Sequence, residues 1–243
     1  MTRFLKTLGL VAAAIAALVA VMAPAAQAET GQLTSQMFPS IVTGQKVNPG
    51  PTFDIGNAPI RTVNCAANLD ATLFGPTDPV TFTPTYAGCT SEPGGATPVT
   101  VTMNGCDYLV GFGKPGTTGQ PGTTGLMHAW LQCPAGQQIE IHVYENAFMH
   151  AANVSTCTYD ISPQGQVPAG IYHNTAEGGM IPDVDATINA KFTAVSTIGA
   201  GGAICGGDPM TGHLPITLTG NYTLRAYQDF GGNEGAQIPI DVG

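Results

Sequence analysis

Five histidines, His128, His142, His150, His173 and His213, are the first place to look for acid–base or metal chemistry in this chain, because imidazole alone among the side chains ordinarily titrates near neutrality. A zinc hydrolase would hold two of them one helical turn apart around an acid, as in H-E-x-x-H, and that spacing does not occur. A serine hydrolase needs its nucleophile on a strained elbow; the serines beyond residue 28 are Ser35, Ser40, Ser91, Ser155, Ser162 and Ser196, and none lies in G-x-S-x-G. Asp183-x-Asp185 opens like a calcium loop, but Thr187 and Ile188 stand where a further oxygen donor and a glycine are required, so the pair is expected to keep the start of a strand hydrated. Glycoside hydrolysis by two acids across a cleft is neither shown nor excluded by the sixteen dispersed Asp and Glu. The run KPGTTGQPGTTG at 114–125 lacks the G-x-x-x-x-G-K-[ST] order of a phosphate loop and reads as a flexible insertion between strands. No catalytic residue, metal or cofactor is assigned on these grounds.

One surface is suited to binding. If residues 126–133 and 139–145 form a hairpin, burying Leu131 and Cys133 with Ile139 and Ile141 puts Cys133 opposite Ile139 across a loop at 134–138. Trp130, the one tryptophan, then faces His142, His128 faces Tyr144, and Gln132 faces Glu140. His128, Trp130, His142 and Tyr144 on one outward face would suit stacking on a sugar or holding an extended ligand. The competing reading makes Trp130 ordinary core.

The elements that must carry these residues are strands. Arg3 and Lys6, an apolar run from Leu8 to Met22 and Ala26-Gln27-Ala28 have the form of a secretory signal peptide, 1–28, cut before Glu29. Its removal takes away Arg3 and Lys6 and leaves five cationic against sixteen acidic residues, a formal charge of −11, so nucleic acid and anionic membranes are poor partners. No lipid anchor or membrane association is expected after cleavage, and the protein is expected to be secreted. Residues 29–59, rich in Pro and Gly, read as an extended leader with one or two short strands. From residue 60 to 243 the chain breaks into short β-like runs without a sustained helical period. Val99, Val101 and Met103 alternate with threonines and lead into Asn104-Gly105, the pair preferred in a tight hairpin; Ile139, Ile141 and Val143 alternate with Glu140, His142 and Tyr144. These patterns predict an all-β fold, an antiparallel sandwich or barrel-like domain, with a smaller C-terminal β subdomain from about residue 184 as the alternative to a single unit.

Cys65, Cys89, Cys106, Cys133, Cys157 and Cys205 are even in number in an exported chain, and no C-x-x-C occurs, so they predict three disulfides rather than a zinc site. Of the fifteen pairings open to six cysteines, short loops between neighbouring strands favour Cys89 with Cys106 and Cys133 with Cys157, leaving Cys65 with Cys205 to tie the ends of the domain.

The segments CAANLDATLFG from Cys65, YAGCT, PVTVTMNGCDYLV, LQCPAGQQIEI, CTYDISPQ, Cys205 and GNYTLRAYQD together resemble a group of exported bacterial six-cysteine β-rich proteins, over most of residues 60–230. The resemblance implies a secreted disulfide-bonded β-protein and carries over no activity, ligand or catalytic residue; 114–125 looks like an insertion relative to that pattern. The expected function is therefore a non-enzymatic extracellular or envelope-associated binding module for an unidentified extracellular ligand or surface component. A secreted hydrolase assembled from distant acids and histidines is the alternative, and an inhibitor presenting a disulfide-framed loop is a third reading.

Overall fold

The computed structural model describes residues 30–56, 61–92, 97–116, 124–152, 154–175, 181–198, 212–232 and 234–243. The segment read as a signal peptide, the expected cut before Glu29 and most of the glycine-rich run at 114–125 lie outside them. Alternation in the sequence becomes alternation about a closed sheet. In β4 (Arg61–Leu73), Val63, Cys65, Ala67, Leu69, Ala71 and Leu73 are buried while Asn64, Ala66, Asn68, Asp70 and Thr72 are exposed. In β13 (His213–Asp229), Leu214, Ile216, Leu218, Tyr222, Leu224 and Ala226 are buried in the same way. Each such Leu, Ile, Val or Phe removed from water stabilises the fold by about 1.5–3 kcal/mol.

The strands close into an antiparallel up-and-down barrel of eight staves. β3 (Ser40–Ile55), β4 and β5 (Val80–Glu92) follow one another, and β5 is flanked by β6 (Thr97–Thr102) at one end and β7 (Asp107–Gly113) at the other. β6 and β7 both run antiparallel to β5, so they are two halves of one stave. The next stave is β8 (Thr124–Gln132) with β9 (Ile139–Val143), and the next is β10 (Cys157–Ile161) with β11 (Gln164–Thr175). Both halves of the latter pair with β12 (Asp183–Ile198), β12 pairs with β13, and β13 returns to β3. The all-β, antiparallel, barrel-like expectation is met. β12 and β13 are staves of the same barrel, so the chain beyond residue 184 shares its core with the rest, and β3, within the segment read as a leader, is a stave as well.

Interruptions fall at one level on six of the eight staves. The register of β3 slips between Gln45 and Thr52; β4 and β5 slip beside Cys65 and Gly88; β6 gives way to β7 at 103–106, β8 to β9 at 133–138, and β10 to β11 at 162–163. β12 and β13 alone run through in unbroken register, Val184↔Leu224 to Val195↔His213. Asn104 and Gly105 do adopt positive φ, with Cys106 N–H donating to Met103 O at 2.8 Å, but the turn they make is a break within a stave, and the flanking strands do not pair with each other. Its neighbour is the 134–138 turn: Asn104 Nδ2 donates to Gln138 O at 3.0 Å and a disulfide joins Cys106 to Cys133.

The second described bridge is Cys65–Cys89, so the expected pairs Cys89–Cys106, Cys133–Cys157 and Cys65–Cys205 are corrected. Register is the reason. Asn64↔Thr90 and Asp107↔Gln132 are opposite pairs, which brings the adjoining cysteines together, whereas the Phe82↔Tyr108 register puts Cys106 beside Pro84, five residues or about 16 Å along β5 from Cys89. Cys157 is also disulfide-bonded, and Cys205 lies outside the described residues.

Inside, alanines such as Ala67, Ala129, Ala169 and Ala190 offset Phe82, Phe192 and Tyr108, and Tyr86 and Tyr108 join hydroxyls at 3.2 Å, burial pushing the Tyr108 phenol up to about 12. A void of about 30 Å³ lies beside Leu69, Met127 and Leu218, so the interior there is packed core. One end is covered by β2 (Leu33–Ser35) paired with β15 (Ile240–Val242), with Leu33, Ile240 and Val242 at most 1 % exposed. β1 (Thr30–Gly31) pairs with β7 there, and β14 (Glu234–Ile238) extends from β13. The opposite end carries α1 (Ala147–Ala151), capped by the Asn146 side-chain Oδ1, which accepts from Met149 N–H at 3.0 Å. Among the described residues no helix is long and apolar enough to cross a membrane.

Non-reducing peptide mapping should recover the 65–89 and 106–133 links. Replacing Cys106 and Cys133 together by alanine opens a loop with a sequence separation of 27 residues, and should lower unfolding stability by about 3.5 kcal/mol on chain-entropy grounds, read from the urea midpoint. Recovery of an 89–106 linked peptide would contradict the register.

Candidate functional site

β8 alternates as expected: Met127, Ala129 and Leu131 face the core, and Leu126, His128, Trp130 and Gln132 face outward. Its partners, however, are β7 and β11, so Trp130 sits opposite Leu109 and His128 lies between Gly111 and Pro168. The predicted pairing of 126–133 with 139–145 is thereby corrected: β9 continues the stave of β8 past the 133–138 turn and pairs instead with β6 and β10.

Glycine supplies the space for the indole. A Cβ on Gly111 would meet Trp130 Cζ3 at 3.0 Å, Cη2 at 3.1 Å and Asp78 Oδ1 at 3.3 Å. The Trp130 ring thus lies across the backbone of β7, and a carboxylate from the β4–β5 connection reaches the same spot. Asp78 is held there by Phe112 N–H, which donates to Oδ1 at 2.8 Å. Burial pushes the Asp78 carboxyl up, against the opposing pull of that N–H and of His128. Leu126 and Ile171, opposite each other on β8 and β11, are 42 % and 45 % exposed and extend the patch with apolar surface. Trp130 itself is half-buried. A flat aromatic face, a fixed carboxylate and an imidazole on a rigid sheet can stack on a ring and accept hydrogen bonds from its hydroxyls.

His142 belongs to a different wall. It lies between Thr100 on β6 and Thr158 on β10, with Nε2 at 3.2 Å from Glu140 Oε2 and Nδ1 at 3.2 Å from Thr158 Oγ1. Asp160 nearby has its carboxyl raised, first by burial and then by Glu140, with His142 and Gln138 opposing. Tyr144 is 2 % exposed and packs edge-on to His150 of α1 at 4.8 Å. The four residues expected on one face therefore divide three ways, and only His128 and Trp130 stay together. The cause is the break at 133–138, which carries the chain onward where the sequence pattern implied a reversal. His173 meets Thr124 at 3.1 Å and His150 meets Thr100 at 3.4 Å, so the histidines remain dispersed. Among the described residues no group of three His, Cys, Asp or Glu is arranged to hold a metal ion. Asp183 accepts from Arg225 Nε at 3.1 Å and Gln237 Nε2 at 2.8 Å, and Asp185 from Thr223 Oγ1 at 2.7 Å; both acids are engaged in bonds between strands.

Asp78 and Gly111 escaped the sequence reading. Asp78 is far from Trp130 along the chain and no local pattern joins them, although a glycine within a strand, as at 111, does signal close approach by a neighbouring group. Comparison of the chain with protein-family models, with curated proteins and with solved structures gave no match in any of the three.

The raised Asp78 pKa means that the native state holds this proton more tightly than the unfolded chain does. Stability from the group is full below the unfolded value near 4 and is lost as pH rises through the native one. Asp78→Asn keeps an acceptor for Phe112 N–H and abolishes the titration. The melting temperature of this variant relative to the parent should therefore improve as pH is raised from about 3 to about 7, and a difference that is flat with pH would remove Asp78 from the site's electrostatics.

Proposed function

We propose that the protein is a secreted, non-enzymatic extracellular binding module that meets its ligand through the outward face around Trp130. One observation carries the reading: the single indole is half-buried and laid over Gly111, beside the anchored carboxylate of Asp78 and next to His128. Ligand chemistry follows from that composition. The exposed apolar surface of Leu126 and Ile171 and the aromatic plane favour a ring with an apolar face, while Asp78 accepts from hydroxyl donors; a pyranose of an extracellular glycan combines both. A rigid barrel wall presents these groups without an ordering cost on binding. Export accords with disulfides, which persist in oxidising compartments. The hydrolase alternative has its best-placed groups in Glu140, His142 and Asp160, but that imidazole is already engaged by Glu140 and Thr158.

Trp130→Ala should weaken binding to a glycan selected from an array by at least about tenfold, equivalent to roughly 1.4 kcal/mol, while the melting curve stays cooperative. Emission of the parent protein should be readily quenched by acrylamide and blue-shifted by the bound glycan. A blue-shifted, unquenchable emission in the free protein would return Trp130 to the core, where truncation costs about 3–5 kcal/mol of stability.

A further inference from the structure

Arg61 opens β4 at the end of the barrel opposite the β2–β15 cover, and the alternation of β4 turns it inward, in step with Val63 and Cys65. Around it are inward polar groups from three other staves: Ser91 of β5, Thr97 of β6 and Tyr159 of β10. Ser91 and Tyr159 are both 0 % exposed. Arg61 Nη1 reaches Ser91 Oγ at 3.5 Å, Ser91 Oγ and Thr97 Oγ1 lie 2.7 Å apart, and Tyr159 hydrogen-bonds the guanidinium. The Nε–H is buried with no acceptor.

A guanidinium is always charged, and an ionised group turned into a protein ordinarily has a carboxylate beside it. The chain's other arginine beyond the signal segment shows that arrangement, Arg225 with Asp183 at 3.1 Å. Arg61 does not. The acids on adjacent strands, Asp54 and Glu92, alternate to the outer face, where Asp54 accepts from Thr62 Oγ1 at 2.8 Å. Glu140 and Asp160 are likewise outward neighbours of inward residues on β9 and β10. Among the described residues no carboxylate pairs with this inward cation, which lies among hydroxyls. Its chemistry is that of an oxyanion receptor: a planar cation with an unused N–H, set among hydroxyls.

We propose that the Arg61 end of the barrel binds an oxyanion-bearing ligand, a carboxylate or a phosphate group, through the Arg61 guanidinium with Ser91, Thr97 and Tyr159. This site is independent of the Trp130 face, being built from different staves. The oxyanion supplies the acceptor that Nε–H lacks and neutralises the charge.

Arginine Nε–H resonances provide the test, because residues 29–243 contain only Arg61 and Arg225, and Arg225 serves as internal control. Sodium acetate and sodium phosphate are titrated into the ¹⁵N-labelled, oxidised protein, with sodium chloride at equal ionic strength as reference. The Arg61 signal should move saturably with at least one oxyanion while Arg225 stays in place. Saturation by acetate identifies a carboxylate ligand, and saturation by phosphate alone identifies a phosphate. Arg61→Met should abolish the melting-temperature increase given by that anion, read against the variant's own melting temperature in chloride. An Arg61 signal that stays put, or drifts equally in chloride, overturns the proposal whether or not the variant folds.

Discussion

Closure of the sheet upon itself, completed by the continuous ladder between β12 and β13 and by β13 against β3, is the constraint from which the other features follow. A sheet with free edges presents unpaired N–H and C=O groups; a closed one presents none along its staves. Closure also defines an inside, so every stave must send alternate side chains into a space of fixed width. That is why alanine recurs at inward positions beside Phe82, Tyr108 and Phe192, and why the void beside Leu69 and Met127 is only about 30 Å³. Binding groups are therefore expected on the walls and at the ends.

The belt of interruptions divides these surfaces. Below it, β7, β8 and β11 form the wall that carries Trp130 and His128 with the Asp78 carboxylate reaching onto it; beyond it, β9 carries His142 outward, and β5, β6 and β10 set hydroxyls around Arg61 inward. Bulges bend strands and increase their twist, and here two of them are bolted to each other by Cys106–Cys133 and by Asn104 against Gln138. The chemistry of the two halves differs accordingly: an aromatic and acidic patch on one, an inward cation among hydroxyls on the other.

Much of this was legible beforehand. The period-2 pattern of 99–103 and 139–143, the positive-φ pair at Asn104-Gly105 and the oxidised state of the cysteines all appear in the structure. Which strands are neighbours was not legible, for a physical reason. Asn-Gly and Pro-Ala-Gly sequences allow a chain to reverse, and they equally allow a strand to pause and continue in the same direction; the local dihedral demands are alike, and only the partner strands decide. Taking 134–138 as a reversal placed Trp130 across from His142, and the same assumption misassigned the cysteines. Alternation survived the error, so His128 and Trp130 were correctly turned outward. Tyr144 has the outward parity too, but α1 covers it, and a five-residue helix leaves little trace in a hydrophobic period.

The pairing of β3 with β13 has a kinetic side. Ser40–Ile55 must wait for His213–Asp229, nearly the whole length of the domain, whereas every other stave pairs with the one made just before it. A nascent or refolding chain can thus assemble most of the meander and form both described disulfides from local encounters, yet it remains an open sheet with two adhesive edges until the last stave arrives. Final closure is a single, entropically demanding event that comes late. Its rate, more than the strength of any individual contact, sets how long the molecule is vulnerable to its own copies.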